Sequence, residues 1–180
     1  KAHWRALYMG AYVSLEGIAA RWSGKDRVTL HGRLDATLIR KDGKRVFLGC
    51  LGRRVVTTAG VNYMRDDFNN AAGAADITNF KYHGSGIGTT AEAITDTALV
   101  NEAAAGIPAR ATGTQVGTVS GVYTTVGSQT YTGTLAITEH GVFSAATVGT
   151  LWDRTVFAAV PVISGEAISF QYSLTITAGG

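Results

Sequence analysis

The stretch from Tyr131 to Ala178, YTGTLAITEHGVFSAATVGTLWDRTVFAAVPVISGEAISFQYSLTITA, decides the fold prediction. From Ile168 to Ile176 every second residue is large and apolar, and the residues between them are small or polar. This two-residue period is that of a half-buried β-strand. Leu151–Val162 is rich in β-branched and aromatic residues, which are typical of a covered strand. With a turn expected at residues 139–141, the stretch predicts a run of strands joined by short turns.

A β-hairpin is predicted upstream of this stretch. Residues 27–40 alternate between apolar and polar, and residues 45–51 return with a similar pattern. Asp42-Gly43 lies between them, a pair typical of tight turns in which both central residues have positive φ. Gly32 interrupts the first strand and predicts a bulge. The Lys and Arg residues around the second strand indicate an exposed sheet edge.

Two short helices interrupt the predicted strands. Thr57-Thr58 is an N-cap signal for a helix that runs to about residue 70, and a second helix is predicted over residues 95–102. The first helix is predicted to place Val61, Met64, Arg65 and Phe68 on one side and to use Phe68 in packing. The predicted fold is mainly β, an antiparallel β-sandwich or jelly-roll-like domain over residues 26–180. Phe143, Val156, Phe170, Tyr172 and Leu174 are predicted to share one core.

Residues 1–25 are predicted to form an N-terminal arm. They are rich in aromatic residues but contain two glycines and no strong helix caps. Exposed aromatic surface marks contacts, so the arm is expected to reach a neighbouring subunit. The candidate subunit-contact residues are Trp4, Tyr8, Tyr12 and Trp22.

Composition excludes two classes of protein. Hydrophobic residues make up 46% and charged residues 16%, which excludes a disordered chain. Apolar residues fall in short runs, so no helix of about 20 apolar residues is expected to span a membrane. The chain begins at Lys1, and we expect a short leader or start before it. Cys50 is the single cysteine, which predicts a small buried side chain, no internal disulfide and folding in the cytoplasm.

Charge is unevenly distributed along the chain. Residues 1–81 contain 14 basic and 7 acidic residues, whereas residues 82–180 contain 2 basic and 6 acidic ones. This asymmetry indicates either a polar protein partner or head-to-tail packing between copies of the chain, and an ordinary solvated surface is the alternative. Basic residues do not alternate with aromatic ones in a compact cluster, so nucleic acid is not predicted as a partner.

No motif predicts catalysis, a cofactor or a metal. The third glycine of Gly84-Ser85-Gly86-Ile87-Gly88 comes one residue too early for a dinucleotide fingerprint, so a tight glycine loop is predicted. The four histidines lack metal-ligand spacing. Glu139 and Asp153 could form an acid pair, but Asp153 beside Arg154 is better explained as a local or intersubunit ion pair.

Several blocks nevertheless resemble virion proteins of tailed bacteriophages over roughly residues 33–178. They are Val56–Asn62 (VTTAGVN), Phe80–Ala91 (FKYHGSGIGTTA), Asp96–Leu99 (DTAL), Ile137–Phe143 (ITEHGVF) and Gly149–Phe157 (GTLWDRTVF).

The resemblance is strongest to capsid decoration, or cement, proteins. It implies a non-enzymatic structural protein that binds the outside of the head and clamps major capsid subunits, made in the host cytoplasm. A homotrimer is the expected assembly. The alternative that the resemblance leaves open is a tail-associated or fibre-base protein involved in attachment.

Overall fold

The computed structural model describes residues 28–53, 55–69, 76–117 and 119–178. The chain divides into two compact units, one of Lys1–Leu30 with Ile176–Gly180 and one of His31–Thr175. The predicted arm, residues 1–25, lies outside the described residues, so the arm and its boundary stay predictions.

Strands dominate the described part of the chain and form two five-stranded sheets. Sheet A has the strand order β2-β1-β10-β7-β6, and sheet B has the order β3-β9-β8-β4-β5. The strand pairs are antiparallel. The predicted mainly-β antiparallel fold is therefore confirmed and is consistent with a β-sandwich. The strands are β1 (Thr29–Ile39), β2 (Arg45–Gly52), β3 (Val55–Val56), β4 (Tyr82–Gly86), β5 (Ala111–Thr112), β6 (Thr114–Gln115), β7 (Val122–Thr130), β8 (Leu135–Phe143), β9 (Leu151–Val162) and β10 (Ala167–Thr177).

The main hydrophobic core takes side chains from both sheets. Leu34 and Phe170 come from sheet A, and Ile137 and Phe157 come from sheet B. The two sheets therefore share the apolar interior that the alternating strands predict.

Phe143 lies outside this main core and packs instead with Leu99 and Leu151. The prediction that Phe143 shares one core with Phe170 is therefore wrong. The pairing of β8 with β9 is irregular twice, between Ile137 and Glu139 and between Val142 and Phe143. These register shifts interrupt the alternation of faces along β8, so strict alternation does not determine the face on which Phe143 lies.

Phe170→Ala should lower the free energy of unfolding by about 3–5 kcal/mol, because the side chain is fully buried in the main core. Urea denaturation would measure the loss. Phe47→Ala is the matched control, since 72% of Phe47 is exposed, and it should cost less than about 0.5 kcal/mol. A loss below about 1 kcal/mol for Phe170→Ala would contradict the packing.

The hairpin of β1 and β2 is confirmed, but its turn differs from the prediction. Gly43 has φ 83°, whereas Asp42 does not have a positive φ. Arg40 N donates to Lys44 O and Gly43 N donates to Arg40 O, both at 2.8 Å. The turn therefore needs a left-handed residue only at Gly43, as in three-residue hairpin loops.

Gly32 lies within β1 and serves close packing. A Cβ on Gly32 would lie 2.7 Å from Asp153 Oδ2 and 2.9 Å from the Tyr172 hydroxyl. The register shifts between β1 and β2 fall elsewhere, at Leu34/Asp35 and Ala36/Thr37. The glycine admits two polar groups to the interior of the fold.

The predicted first helix is confirmed as α1 (Thr58–Phe68), with the Thr57 hydroxyl accepting a hydrogen bond from Gly60 N at 3.0 Å. Its packed side is not the predicted one, because Val61 and Phe68 are 41% and 78% exposed. Gly60 instead lies against Trp152, where a Cβ would come within 2.9 Å of the indole ring. Because Gly60 has no side chain, this side of the helix can pack closely against Trp152 and is the covered side.

The prediction of a second helix over residues 95–102 is wrong. Residues 95–102 form turns and bends, and a short 3₁₀ helix lies instead at Ile77–Asn79. The backbone N–H groups of Val100 and Asn101 donate to the Glu139 carboxylate at 3.1 and 2.7 Å. These donors are therefore unavailable to a helical turn.

Two predicted turns are strands of sheet B. The glycine loop predicted at residues 84–88 largely belongs to β4, and the turn predicted at residues 139–141 lies within β8. The two strands pair with each other, with Gly84 opposite Gly141.

Candidate functional site

Gly84, Gly86 and Gly88 alternate along β4 and the residues that follow it, so one face of this segment carries no side chains at these positions. A Cβ on Gly84 would lie 2.6 Å from Glu102 Oε1, and a Cβ on Gly88 would lie 2.5 Å from Glu139 Oε1. Gly86 would meet the same Glu139 oxygen and Asn101 O. The glycine motif thus makes room for two carboxylates and for the chain segment that covers this face. It forms a close-packed strand and not a phosphate-binding loop.

Glu139 is fully buried on this face and is saturated with donors. Its Oε1 accepts from Gly88 N at 3.0 Å and from Asn101 N at 2.7 Å. Its Oε2 accepts from Val100 N at 3.1 Å and from Arg154 Nε at 3.0 Å. The carboxylate therefore fastens the segment around residues 88–101 to sheet B.

Arg154 completes this buried network, and 1% of it is exposed. Its guanidinium lies 2.9 Å from Glu139 Oε2 and 2.9 Å from Asp96 Oδ2, and it donates to Thr90 O at 2.9 Å. The predicted Asp153–Arg154 ion pair is absent from the described contacts. Adjacent residues of a strand point to opposite faces, so Arg154 joins Glu139 while Asp153 lies on the other face.

Two histidines meet inside the fold. His83 Nδ1 and His140 Nε2 lie 3.0 Å apart, and His83 Nε2 lies 3.2 Å from the Thr125 hydroxyl. Burial lowers the pKa of His83 to about 4. Burial, and secondarily the neighbouring His83, lowers the pKa of His140 well below its usual value. Both rings are neutral at pH 7 and act as hydrogen-bonding parts of the interior.

Asp153 forms a second polar cluster with its neighbours. The Thr155 hydroxyl donates to Asp153 Oδ1 at 3.1 Å, and Trp152 Nε1 donates to the Tyr172 hydroxyl at 3.0 Å. Burial raises the pKa of Asp153 to about 7, while hydrogen bonding from Thr155 and Tyr172 opposes the rise and the charge of Glu92 adds to it. The fold therefore favours the protonated form of this carboxyl.

No local signal in the sequence marks these two clusters. His83 and His140 are brought together by the pairing of β4 with β8, in which Ser85 lies opposite His140. Tyr172 and Asp153 come from different sheets. An alternating strand pattern identifies a buried position but does not say which other buried position it faces.

A third polar arrangement lies at a groove of about 400 Å³ lined by Ile107, Pro108, Arg110, Ala146 and Val148, among others. The Arg110 guanidinium lies 3.3 Å from the centre of the Phe143 ring and donates to both Glu102 oxygens at 2.6 and 2.8 Å. Arg110 also donates to Val148 O at 2.5 Å. Val148 has φ 59°, so this contact helps to hold an uncommon backbone conformation for a β-branched residue.

Within the described ranges, no group of three or more His, Cys, Asp or Glu side chains could hold a metal ion. No helix of that part of the chain is both long and apolar enough to span a membrane. Cys50 is exposed and has a free thiol, so the prediction of a buried cysteine is wrong.

The acidic half of the sequence does not make an acidic surface. All six acidic residues after Tyr82 are buried or only partly exposed: Glu92, Asp96, Glu102, Glu139, Asp153 and Glu166. The exposed basic residues in the described ranges are Arg40, Lys41, Lys44, Arg45, Arg53 and Arg65. The exposed acidic residues there are Asp42 and Asp76. The described surface is therefore basic, and four of its cations lie at the tip of the β1–β2 hairpin.

The candidate contact residues Trp4, Tyr8, Tyr12 and Trp22 lie outside the described residues. Their role in subunit contact therefore stays a prediction.

No protein family matches the chain, and a search of curated proteins gives no match either.

Proposed function

We propose that the chain is a non-enzymatic structural protein of a phage virion that decorates the outside of the capsid and stabilises its lattice. The observation that carries the proposal is the location of its unusual ionisable groups. His83, His140, Asp153, Glu139 and Arg154 are each at most 1% exposed. Groups enclosed in this way support packing and cannot meet a substrate.

The sequence blocks that resemble phage virion proteins supply the strands that carry these buried groups. The glycine block supplies β4, and the ITEHGVF block supplies β8 with Glu139. The GTLWDRTVF block supplies β9 with Arg154. In the proposed function these blocks make a rigid domain that can be repeated over a capsid surface. Copies associate as trimers through the N-terminal arm, residues 1–25, and the major capsid protein is the partner.

A tail-associated attachment protein is the second candidate. The observation that favours it is Phe47, which is 72% exposed. It lines a shallow groove of about 170 Å³ together with Thr37, Ser169 and Gln171. An exposed aromatic ring beside hydroxyl and amide groups could stack on a sugar of a receptor.

Immunolabelling distinguishes these candidates. Particles purified from the source of the chain would be labelled with an antibody against it and imaged in negative stain. We expect label distributed over the heads. Label confined to the tails would favour attachment, and particles without label would contradict a virion role.

A further inference from the structure

The edge of sheet A offers open backbone groups. β2 is eight residues long and lies at the end of the strand order of sheet A. Among the described residues it has a strand partner on one side, β1. An unpaired edge is a template on which another extended segment can form hydrogen bonds.

The register identifies which backbone groups are open. Arg40 N donates to Lys44 O at 2.8 Å, so these two residues form a hydrogen-bonded pair. Hydrogen-bonded and non-hydrogen-bonded pairs alternate along an antiparallel ladder. Val46, opposite Leu38, therefore bonds to β1, and the backbone N–H and C=O groups of Arg45 and Phe47 point away from it.

Positive charge surrounds this edge. Lys41, Lys44 and Arg45 are exposed at the hairpin tip, and Arg40 lies 3.1 Å from Glu166. With Asp42 at the turn, four cations face two carboxylates within this tip, which leaves two positive charges uncompensated. An incoming segment with negative side chains would be attracted, and one with positive side chains would be repelled.

An exposed aromatic ring adds a second element of recognition. Phe47 is 72% exposed and lines the shallow groove beside Thr37 and Arg45. A strand added next to β2 would place alternate side chains over this ring and would cover apolar surface that is now in water.

A second copy of the chain does not fit this edge. Edge-to-edge pairing of two β2 strands would bring two basic hairpin segments together, and like charges on neighbouring strands are destabilising. In the described ranges the acidic residues after Tyr82 are buried or only partly exposed, so that part of the chain offers little acidic surface to another copy. The basic residues thus oppose self-pairing and leave the edge open to an acidic partner.

We propose that β2 accepts an extended acidic segment of another protein, which adds a strand beside Arg45–Phe47 and sets its carboxylates against the hairpin tip. The proposal deepens the proposed function, from which it takes only the premise that the partner is a protein.

Binding of synthetic peptides to the full chain tests the proposal. The probe is a fluorescent nine-residue peptide in which Glu alternates with Val, and an otherwise identical peptide carries Lys for Glu. By fluorescence anisotropy we expect the Glu peptide to bind, with affinity that falls as salt rises, and the Lys peptide not to bind. NMR should show the largest shifts at the amides of Arg45 and Phe47. Absence of binding by the Glu peptide would overturn the proposal.

Two variants and one modified peptide separate strand addition from simple charge attraction. Arg45→Glu and Phe47→Ala should each weaken binding about tenfold or more, while Arg65→Glu on α1 should leave it unchanged. A Glu peptide N-methylated at alternate residues keeps its charge but loses backbone donors, and it should bind at least about tenfold more weakly. Equal binding of the methylated peptide would contradict strand addition. Tighter binding of a single-stranded oligonucleotide at the same residues would identify nucleic acid as the partner class and overturn the proposal.

The outcome is independent of the virion role. Peptide binding with antibody label absent from particles would retain the acidic-segment surface and reject the proposed function. Labelled heads without peptide binding would support the proposed function and reject the acidic-segment surface.

Discussion

Arg154→Met is expected to lower the free energy of unfolding by about 3–5 kcal/mol, because it leaves the Glu139 carboxylate buried without its cation. Glu139 is fully buried, and Arg154 contacts it through both Nε and an η nitrogen at 3.0 and 2.9 Å. Methionine retains most of the side-chain volume, so the loss reports charge and hydrogen bonding more than a cavity. Urea denaturation would measure it.

The chain contains a matched control for this change. Arg65 and Asp66 form an ion pair at 2.6 Å on α1, with 61% and 39% of their side chains exposed. Exposed pairs contribute little, so Arg65→Met should change stability by less than about 0.5 kcal/mol. Equal effects of the two substitutions would contradict the buried network.

A double substitution tests the coupling directly. Glu139→Gln with Arg154→Met should cost less than the two single changes added together, because the neutral amide no longer needs a cation. The amide oxygen introduced by Glu139→Gln could still accept from Gly88 N and Asn101 N, as Glu139 Oε1 does in the parent chain. Additive losses would mean that the two side chains act independently.

The sequence predicted the two C-terminal strands well. β10 matches the prediction within a residue at either end, since its alternate side chains from Ile168 to Leu174 are buried and one face packs against the core. β9 has the predicted bounds for a different reason, because it is covered on both faces over Leu151–Thr155, as its β-branched and aromatic residues indicate.

Prediction from the sequence failed where a glycine leaves space for a side chain that is distant in the sequence. Gly84, Gly86 and Gly88 are typical of a loop when read locally, but they clear space for Glu102 and Glu139, and Glu139 lies about fifty residues away. Gly60 likewise turns α1 toward Trp152 and leaves Phe68 exposed. The period of apolar residues cannot predict either arrangement, because the decisive contact is made by an absent side chain.

The basic sheet edge formed by β2 was only partly predictable from the sequence. The basic residues and the edge position of β2 follow from the hairpin pattern, and the edge is confirmed. That the acidic residues after Tyr82 are covered required the structure, because pairs such as Arg40–Glu166 join residues 126 positions apart. Net charge of a segment does not determine the charge of a surface.

Asp153→Asn should change how stability depends on pH, because the fold favours the protonated form of this carboxyl. Its pKa of about 7 compares with an ordinary value of 3.8. The folded chain therefore binds more protons than the unfolded chain between these pH values. Stability from Asp153 is fully present below about pH 4 and is lost as the pH rises to about 7, by about 4 kcal/mol in all.

The two histidines act in the opposite direction. With a folded pKa of about 4 against 6.5, His83 stabilises the fold above pH 6.5 and loses about 3 kcal/mol of that contribution as the pH falls to 4. His140 has the same sign. Between pH 4 and 6.5, Asp153 therefore offsets part of the acid sensitivity that the histidine pair creates.

Asparagine imitates the protonated carboxyl, since its oxygen can accept from the Thr155 hydroxyl as Asp153 Oδ1 does at 3.1 Å. We expect Asp153→Asn to be more stable than the parent chain at pH 8, with an advantage that shrinks by about 4 kcal/mol as the pH falls to 4. Urea denaturation of both proteins across this range measures the difference, in which the histidine contributions cancel. Asp67→Asn, at a partly exposed position of α1, is the control for replacing a carboxylate. A difference that stays constant from pH 4 to 8 would show that Asp153 is ionised in the folded chain, and Asp153 would then offset none of the acid sensitivity of His83 and His140.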